Sequence, residues 1–235
     1  MATPSKAKKK ARVERRYHHG DLRNALVEQA LALVEGGGIE RFSLREAARL
    51  VGVSANAAYR HFEDKSDLLA AVVEVGFRRQ ERYILEAIAA VAETANAGAA
   101  AVERLKATGR GYVRFAVRHP ELLRVMFGSH AGLDAQGFPH TAGYGLLSKA
   151  LDALVAAGLM PAERRAGAEL KAWTVVHGFA MLAIQGAGPL HADAKRSALL
   201  EEALDYACTG LCGRLDFPAW RRSCAARTTK RRRVP

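Results

Sequence analysis

Apolar residues recur at the spacing of a helix along nearly the whole chain, and no stretch alternates as a half-buried strand would. That property confines the chain to an all-α fold. Proline is scarce and falls at the ends of the periodic stretches. The first helix is expected at about 21–35, where Leu22, Ala25, Leu26, Ala30, Leu33 and Val34 form one stripe and Gly36-Gly37-Gly38 supplies the stop. Ser43-Leu44-Arg45-Glu46 has the form of a capping box, in which the Ser43 hydroxyl takes an orphan backbone N–H and Glu46 reaches back. Leu44, Ala47, Ala48 and Val51 then make a short buried face, which Gly52 ends after two turns.

Ser54 opens a second short helix at about 55–61. After Phe62, Asp64 caps a third start, and Asp67 sits in its first turn where the helix dipole favours negative charge. The pattern then runs to about 92 through Leu68, Leu69, Val72, Val73 and Val75, long enough to join a compact three-helix unit to the larger C-terminal part of the chain. Further helices are expected at about 99–118, 120–127, 141–157, 161–186 and 191–213. Their breaks are Thr94 to Gly98, His119-Pro120, the Gly/Pro-rich 128–140, Gly158 to Pro161, and Gly186 to Pro189; Pro120 and Pro161 suit a first helical turn. No repeat of solenoid period is present.

Charge decides what such a helical chain can meet. The formal charge is +12, but seven of the basic side chains lie in residues 1–16 and seven more in 221–235. Residues 17–220 keep 22 basic and 23 acidic side chains, so a near-neutral body carries two basic tails. Such tails favour polyanions, chiefly nucleic acid or an anionic membrane. Residues 1–16 and 216–235 are expected to be disordered extensions, since they lack apolar periodicity. The N-terminus has no apolar secretory segment, and three cysteines do not make a disulfide framework, so a reducing, cytoplasmic setting is expected. The uncharged run Ala172 to Leu190 is nineteen residues long, but it holds His177, Gln185, three glycines and Pro189; it reads as a helix buried in protein rather than a membrane span.

Two short helices joined at Gly52-Val53 form a helix-turn-helix, whose second member can enter the DNA major groove while the first braces it. Residues Tyr17 to Phe77 resemble the DNA-binding domain of the TetR (tetracycline repressor) family. The resemblance rests on Gly52-Val53-Ser54, Tyr59-Arg60-His61-Phe62, Lys65 and Leu68, preceded by Ser43-Leu44-Arg45-Glu46-Ala47-Ala48. Ala58 stands where the family usually has a larger aliphatic residue. Trp173, His177 and Gly178 resemble the Trp-x-x-x-His-Gly element of a C-terminal domain found in part of the family, and Tyr112 to Phe127 resembles that domain's earlier helices.

The resemblance implies a DNA-binding domain over 17–78 and a ligand-binding and dimerisation domain over 79–215. It implies DNA contacts from Ser43 and Arg45 on the brace helix, from Ser54, Ala55, Asn56, Ala57 and Arg60 at and along the recognition helix, and from Tyr59, His61 and Lys65 to phosphate. Asn56 suits adenine, and Arg60 suits guanine or phosphate. Arg15 and Arg16 suit a minor-groove arm. Residues 17–78 carry a net charge of −2, so the tails are expected to supply part of the phosphate attraction. The resemblance further implies a homodimer through the last two long helices, with Leu170, Val175, Leu199, Leu200, Leu204 and Leu211 at the interface, and a near-palindromic double-stranded operator. A small-molecule effector lodged among helices 99–186 would tilt the connecting helix 65–92 and release a repressor. An activator of the same family, or a non-specific nucleoid-type binder, are the alternatives.

Phe115, Met126, Phe127, Trp173, His177 and Met181 are candidates for the effector pocket, with the helical core as their competing role. Cys208 and Cys212 are one turn apart, with no histidine at ligand spacing, and read as structural; His18-His19 reads as a phosphate or solvent contact. No metal and no cofactor is implied. No nucleophile elbow, Glu-x-x-His pair or phosphate loop points to an enzyme.

Overall fold

The structure, a computed structural model, describes residues 19–128 and 141–213. Its regular elements are all helices among the described residues. Helix α1 (His19–Arg41) buries Leu26, Ala30 and Val34. Gly36 and Gly37 stay helical, and the break falls at Gly38, at φ 68°, with one further turn to Arg41. The expected three-glycine stop is thus a single left-handed glycine. Helix α2 (Leu44–Val51) and α3 (Ala55–Tyr59) follow, then the long α4 (Lys65–Ala89).

Only half of the expected Ser43 capping box forms. Ser43 Oγ accepts from Glu46 N at 3.1 Å, but the Glu46 carboxylate binds the Arg49 guanidinium instead of reaching back. A reciprocal pair closes the start of α4: Asp64 accepts from Asp67 N at 2.9 Å, and Asp67 accepts from Glu63 N at 3.1 Å.

The remaining helices are α5 (Ala97–Arg118), α6 (Pro120–Met126), α7 (Ala142–Ala156), α8 (Ala168–Ile184) and α9 (Asp193–Cys212). The helix expected over 161–186 begins seven residues later. Pro161 leads into a 3-10 turn over Ala162–Arg164, and Gly167 takes a left-handed conformation at φ 68° before α8. A second 3-10 turn, Gly188–His191, holds Pro189. No described helix is long and apolar enough to cross a membrane.

Helix α5 is the axis of the body: α4, α6, α7, α8 and α9 all pack on it. The approach of α4 and α5 needs Gly111, because a Cβ there would lie 2.6 Å from Ile84 Cα and 2.7 Å from the Tyr83 carbonyl oxygen. Two apolar clusters result. One runs from the three N-terminal helices through α4 and α6 to Tyr112, Phe115 and Leu204. The other joins Val102, Leu105, Leu151, Leu154, Met160, Cys208 and Leu211.

Candidate nucleic-acid interface and ligand cavity

The α2–α3 turn is fixed by backbone bonds that only a left-handed residue allows. Gly52 sits at φ 85°, donates to Arg49 O at 3.2 Å, and lets Val53 N donate to Ala48 O at 3.0 Å. Ser54 then caps α3 by accepting from Ala57 N at 3.2 Å. Ala58 points inward and is fully buried, with Phe62 buried beneath it. The small side chain therefore lets α3 lie close against the head's core. Arg23 covers the Phe62 ring at 4.9 Å, a cation–π contact that holds α1 over the same point.

With Ala58 inward, Asn56, Tyr59 and Arg60 face out, and Tyr59 is 46% exposed. The helix ends at Tyr59, short of the expected 61; Ala55 and Ala57 are half-buried on it, His61 is half-buried in the turn after it, and Ser54 is exposed at its start. Arg45 is exposed on the brace helix, while Ser43 is half-buried, its oxygen already used as the cap. Lys65 is exposed, yet its ammonium donates to the Ile39 carbonyl at 3.3 Å and lies 5.6 Å over the Phe42 ring. It thus ties the start of α4 to the end of α1. Arg15, Arg16, His18 and the tail 216–235 lie outside the described residues.

The second feature is a cavity at the seam where the two apolar clusters fail to merge. It encloses about 740 Å³, counting its open mouth. Its walls come from α4 (Phe77, Gln80, Ile84), α5 (Leu105, Lys106, Thr108, Gly109, Tyr112), Phe127, Thr141, α7 (Gly143, Tyr144, Leu147), α8 (Ala172, Trp173, Val176) and α9 (Leu204, Ala207, Cys208, Leu211). Of the residues suggested by sequence, Phe127 and Trp173 are on this wall. His177 stands behind it, 2.7 Å by Nδ1 from the Tyr112 hydroxyl. Phe115 and Met126 are fully buried in the core instead, and Met181 packs on the core from outside the cavity. Phe115 sits edge-on to Tyr83, and Met126 fills the space beside Gly76. The walls from α4 and α9 were not expected. Gln80 was the readable signal, a polar residue on the otherwise apolar face of Val73, Phe77 and Ile84.

Polar groups near the cavity are mostly tied up. Trp173 Nε1 donates to Tyr112 Oη at 3.4 Å, and the Tyr112 hydroxyl shares a 2.7 Å hydrogen bond with His177 Nδ1. Burial lowers the His177 pKa and so favours the neutral ring. Phe127, Trp173 and His177 form a ring cluster with centroids 5.0–5.5 Å apart. Lys106 is fully buried, with Nζ 2.8 Å from both Glu201 and Asp205. Arg110 grips Glu201 through two bonds of 2.6 and 2.8 Å and also meets Glu103. Cys208 and Cys212 are buried free cysteines whose pKa values burial pushes up to about 12 and about 11, which keeps them as thiols at neutral pH. No group of three or more potential metal ligands occurs among the described residues.

Residues 26–72 match the family described as bacterial regulatory proteins, tetR family. Residues 105–206 match the tetracyclin repressor-like C-terminal domain, a span that includes Trp173, His177 and Gly178. The chain belongs to the TetR family of transcriptional regulators, and its N-terminal helix-turn-helix is a DNA-binding one.

Solved structures share the fold. A protein of unknown function from Rhodococcus sp. RHA1 is 29% identical, with 85% of this chain and 100% of that one covered at a TM-score of 0.63. A possible TetR family transcriptional regulator from Streptomyces coelicolor A3(2) is 20% identical over 80% of this chain and 98% of its own, at 0.58. Mycobacterium smegmatis BioQ is 21% identical over 81% and 97%, at 0.54. A comparison with curated proteins finds no match.

Proposed function

We propose that this TetR-family regulator is a homodimeric repressor that a small molecule releases from its operator. The observation that carries the reading is the ownership of the cavity wall. Phe77, Gln80 and Ile84 belong to α4, whose N-terminal half packs the reading head through Leu68, Leu69 and Val72. A molecule that fills the seam must push on the helix that holds the head. An allosteric coupling of about 1–3 kcal/mol is typical of such devices.

On this reading 17–78 is the DNA-binding domain and 79–215 the ligand-binding and dimerisation domain. Asn56 and Arg60 read bases, Ala55 and Ala57 approach the groove, and Ser43, Arg45, Ser54, Tyr59, His61 and Lys65 position the backbone. The pairing surface is the outer face of α8 and α9. Leu170 and Leu182 are 47% and 51% exposed, Tyr206 is 76% exposed, and Val175 and Leu199 are half-buried beside them. Leu200, Leu204 and Leu211, also expected there, are buried in the protomer's own core, and Leu204 and Leu211 line the cavity.

Selection of bound DNA from a random library tests the reading. It should return a near-palindrome whose half-sites are about one helical turn apart. Replacing Asn56 or Arg60 by Ala should cost about 1–3 kcal/mol on that sequence and relax the preference at one base pair per half-site. Equal affinity for all duplexes at fixed salt would overturn it in favour of a non-specific binder.

A further inference from the structure

Gln80 is 4% exposed, and its Nε2 has no hydrogen-bond partner among the described residues. A buried amide N–H left unpaired costs free energy, so its position calls for a cause. It sits on the α4 wall of the cavity, between Phe77 and Ile84, with Gly143 opposite. A Cβ on Gly143 would come 3.6 Å from Gln80 Oε1 and 3.3 Å from Ile84 Cδ1, so the glycine keeps α7 from crowding the oxygen end of the amide.

The other polar groups constrain the charge of an occupant. Lys106 is the cation on the wall, and it is neutralised twice, by Glu201 and Asp205. Arg110 and Glu103 complete the cluster, which holds two cations against three carboxylates. An anion brought to this seam would lose its hydration and find no unspent positive charge on that cluster, and a cation would lose its hydration and find the carboxylates already paired with Lys106 and Arg110. Tyr112, Trp173 and Phe127 present flat apolar surfaces.

We infer that the cavity takes an uncharged, largely aromatic molecule bearing one carbonyl-type oxygen, which accepts a hydrogen bond from Gln80 Nε2. This rests on the reading of the cavity as the effector site. It adds what the effector must carry and where α4 senses it. The ligand oxygen supplies the acceptor that Gln80 Nε2 lacks, and the aromatic body fills the seam.

Three probes of matched shape test this by calorimetry on the full chain: 2-acetylnaphthalene, the hydrocarbon 2-isopropenylnaphthalene, and 2-naphthoate. The ketone should bind, and the carboxylate should bind more weakly than the ketone. In Gln80→Leu the ratio of ketone to hydrocarbon affinity should fall about tenfold, the worth of one buried hydrogen bond; comparing the four affinities cancels the ketone's own hydration. Gln80→Met provides the same test should the Leu variant fail to fold. Either variant should melt no lower than wild type, since it removes an unpaired buried donor. A ratio that stays within twofold, a carboxylate that binds tighter than the ketone, or failure of all three probes to bind would overturn the inference. Gln80-dependent binding that leaves operator affinity unchanged would uphold the site's chemistry and overturn the release mechanism instead.

Discussion

Replacing Gly111 by Ala should separate α4 from α5. The added Cβ would lie 2.6 Å from Ile84 Cα, 2.7 Å from Tyr83 O and 2.9 Å from Ile84 N. All three are backbone atoms, so no side-chain rotation relieves the contact. Ordinary Cβ contacts begin near 3.4 Å, and the helices must therefore part by about 1 Å. Overpacking of this kind costs about 1–3 kcal/mol. Alanine's better helix propensity returns at most about 1 kcal/mol. Because the obstruction is rigid, the cost should fall high in its range and leave a net loss of about 1–2 kcal/mol. For a chain of this size that lowers the midpoint of thermal unfolding by roughly 2–8 °C. The same displacement acts on the helix that carries the reading head, since Ile84 lies about 28 Å of helix from Lys65. Operator affinity should fall together with stability. Gly145 on α7 is the control: a Cβ there meets nothing within 4 Å, so Gly145→Ala should raise the midpoint slightly by propensity alone. Calorimetric melting and DNA titration of the two variants decide the matter. A Gly111→Ala protein that melts at or above wild type would refute the argument that this glycine exists for helix approach.

Leu182→Glu places a charge on the exposed face of α8 and should turn the proposed dimer into a monomer that binds DNA at least tenfold more weakly, as light scattering and titration would report; an unchanged mass would assign pairing to another surface. Acid should destabilise the body through Glu201, whose pKa is held down to about 2, first by its bonds to Arg110 and also by Lys106, against the opposing effect of burial. A carboxylate with a lowered folded-state pKa contributes stability that is complete above its ordinary value of 4.5 and is lost as pH falls toward 2. Glu201→Gln should therefore lower stability at pH 7 but flatten its fall over that window, measured by urea unfolding at several pH values. Removing residues 1–14 should flatten the salt dependence of DNA binding, each lost phosphate contact taking about 0.9 from the log–log slope; an identical slope would exclude the arm from the phosphate contacts.

The reading head was legible because its signals are local. A serine cap, a glycine that must be left-handed and a buried alanine fix α2, the turn and α3 within sixteen residues, Ser43 to Ala58. The longer range misled. Glu163, Arg164, Arg165 and Ala166 are good helix formers, so the chain after Pro161 reads as helix; the structure spends them on a 3-10 turn and the turn that follows it, because Gly167 reverses its φ before α8. Leu200, Leu204 and Leu211 recur at the spacing of a seam, and periodicity marks a buried stripe without naming what buries it. Here the protomer's own α5 and α8 border the stripe, and the exposed Leu182 and Tyr206, which no stripe announces, are left to the outer face. Phe115 and Met126 are aromatic and flexible in the way pocket residues often are, yet they fill the core between α4, α5 and α6. Nothing in a single sequence distinguishes a large side chain that fills a space from one that borders it.

The head and the cavity share more than α4. Glu35, near the end of α1, accepts from Arg79 on α4 at 3.1 Å and meets His119 Nδ1, at the start of α6, at 2.7 Å. His119 Nε2 in turn lies 3.2 Å from the Tyr83 hydroxyl on α4. Tyr83 stacks edge-on against Phe115, and its carbonyl borders Gly111. The neighbour of Tyr83 along α4 is Ile84, a wall of the cavity. One side chain of α1 is therefore bonded both to α4, which walls the cavity, and to the residue that opens α6. The bonds are directional, two of them exposed and one part-buried, and together they favour one relative position of α1, α4 and α6. A few tenths of an ångström at Ile84 would be absorbed by a soft apolar contact, but this polar node resists small shifts and yields to larger ones. On the proposed release mechanism this node would set a threshold: a ligand that leaves the Glu35 bonds intact would leave the head in place, and one that moves α4 far enough to break them would let the head shift.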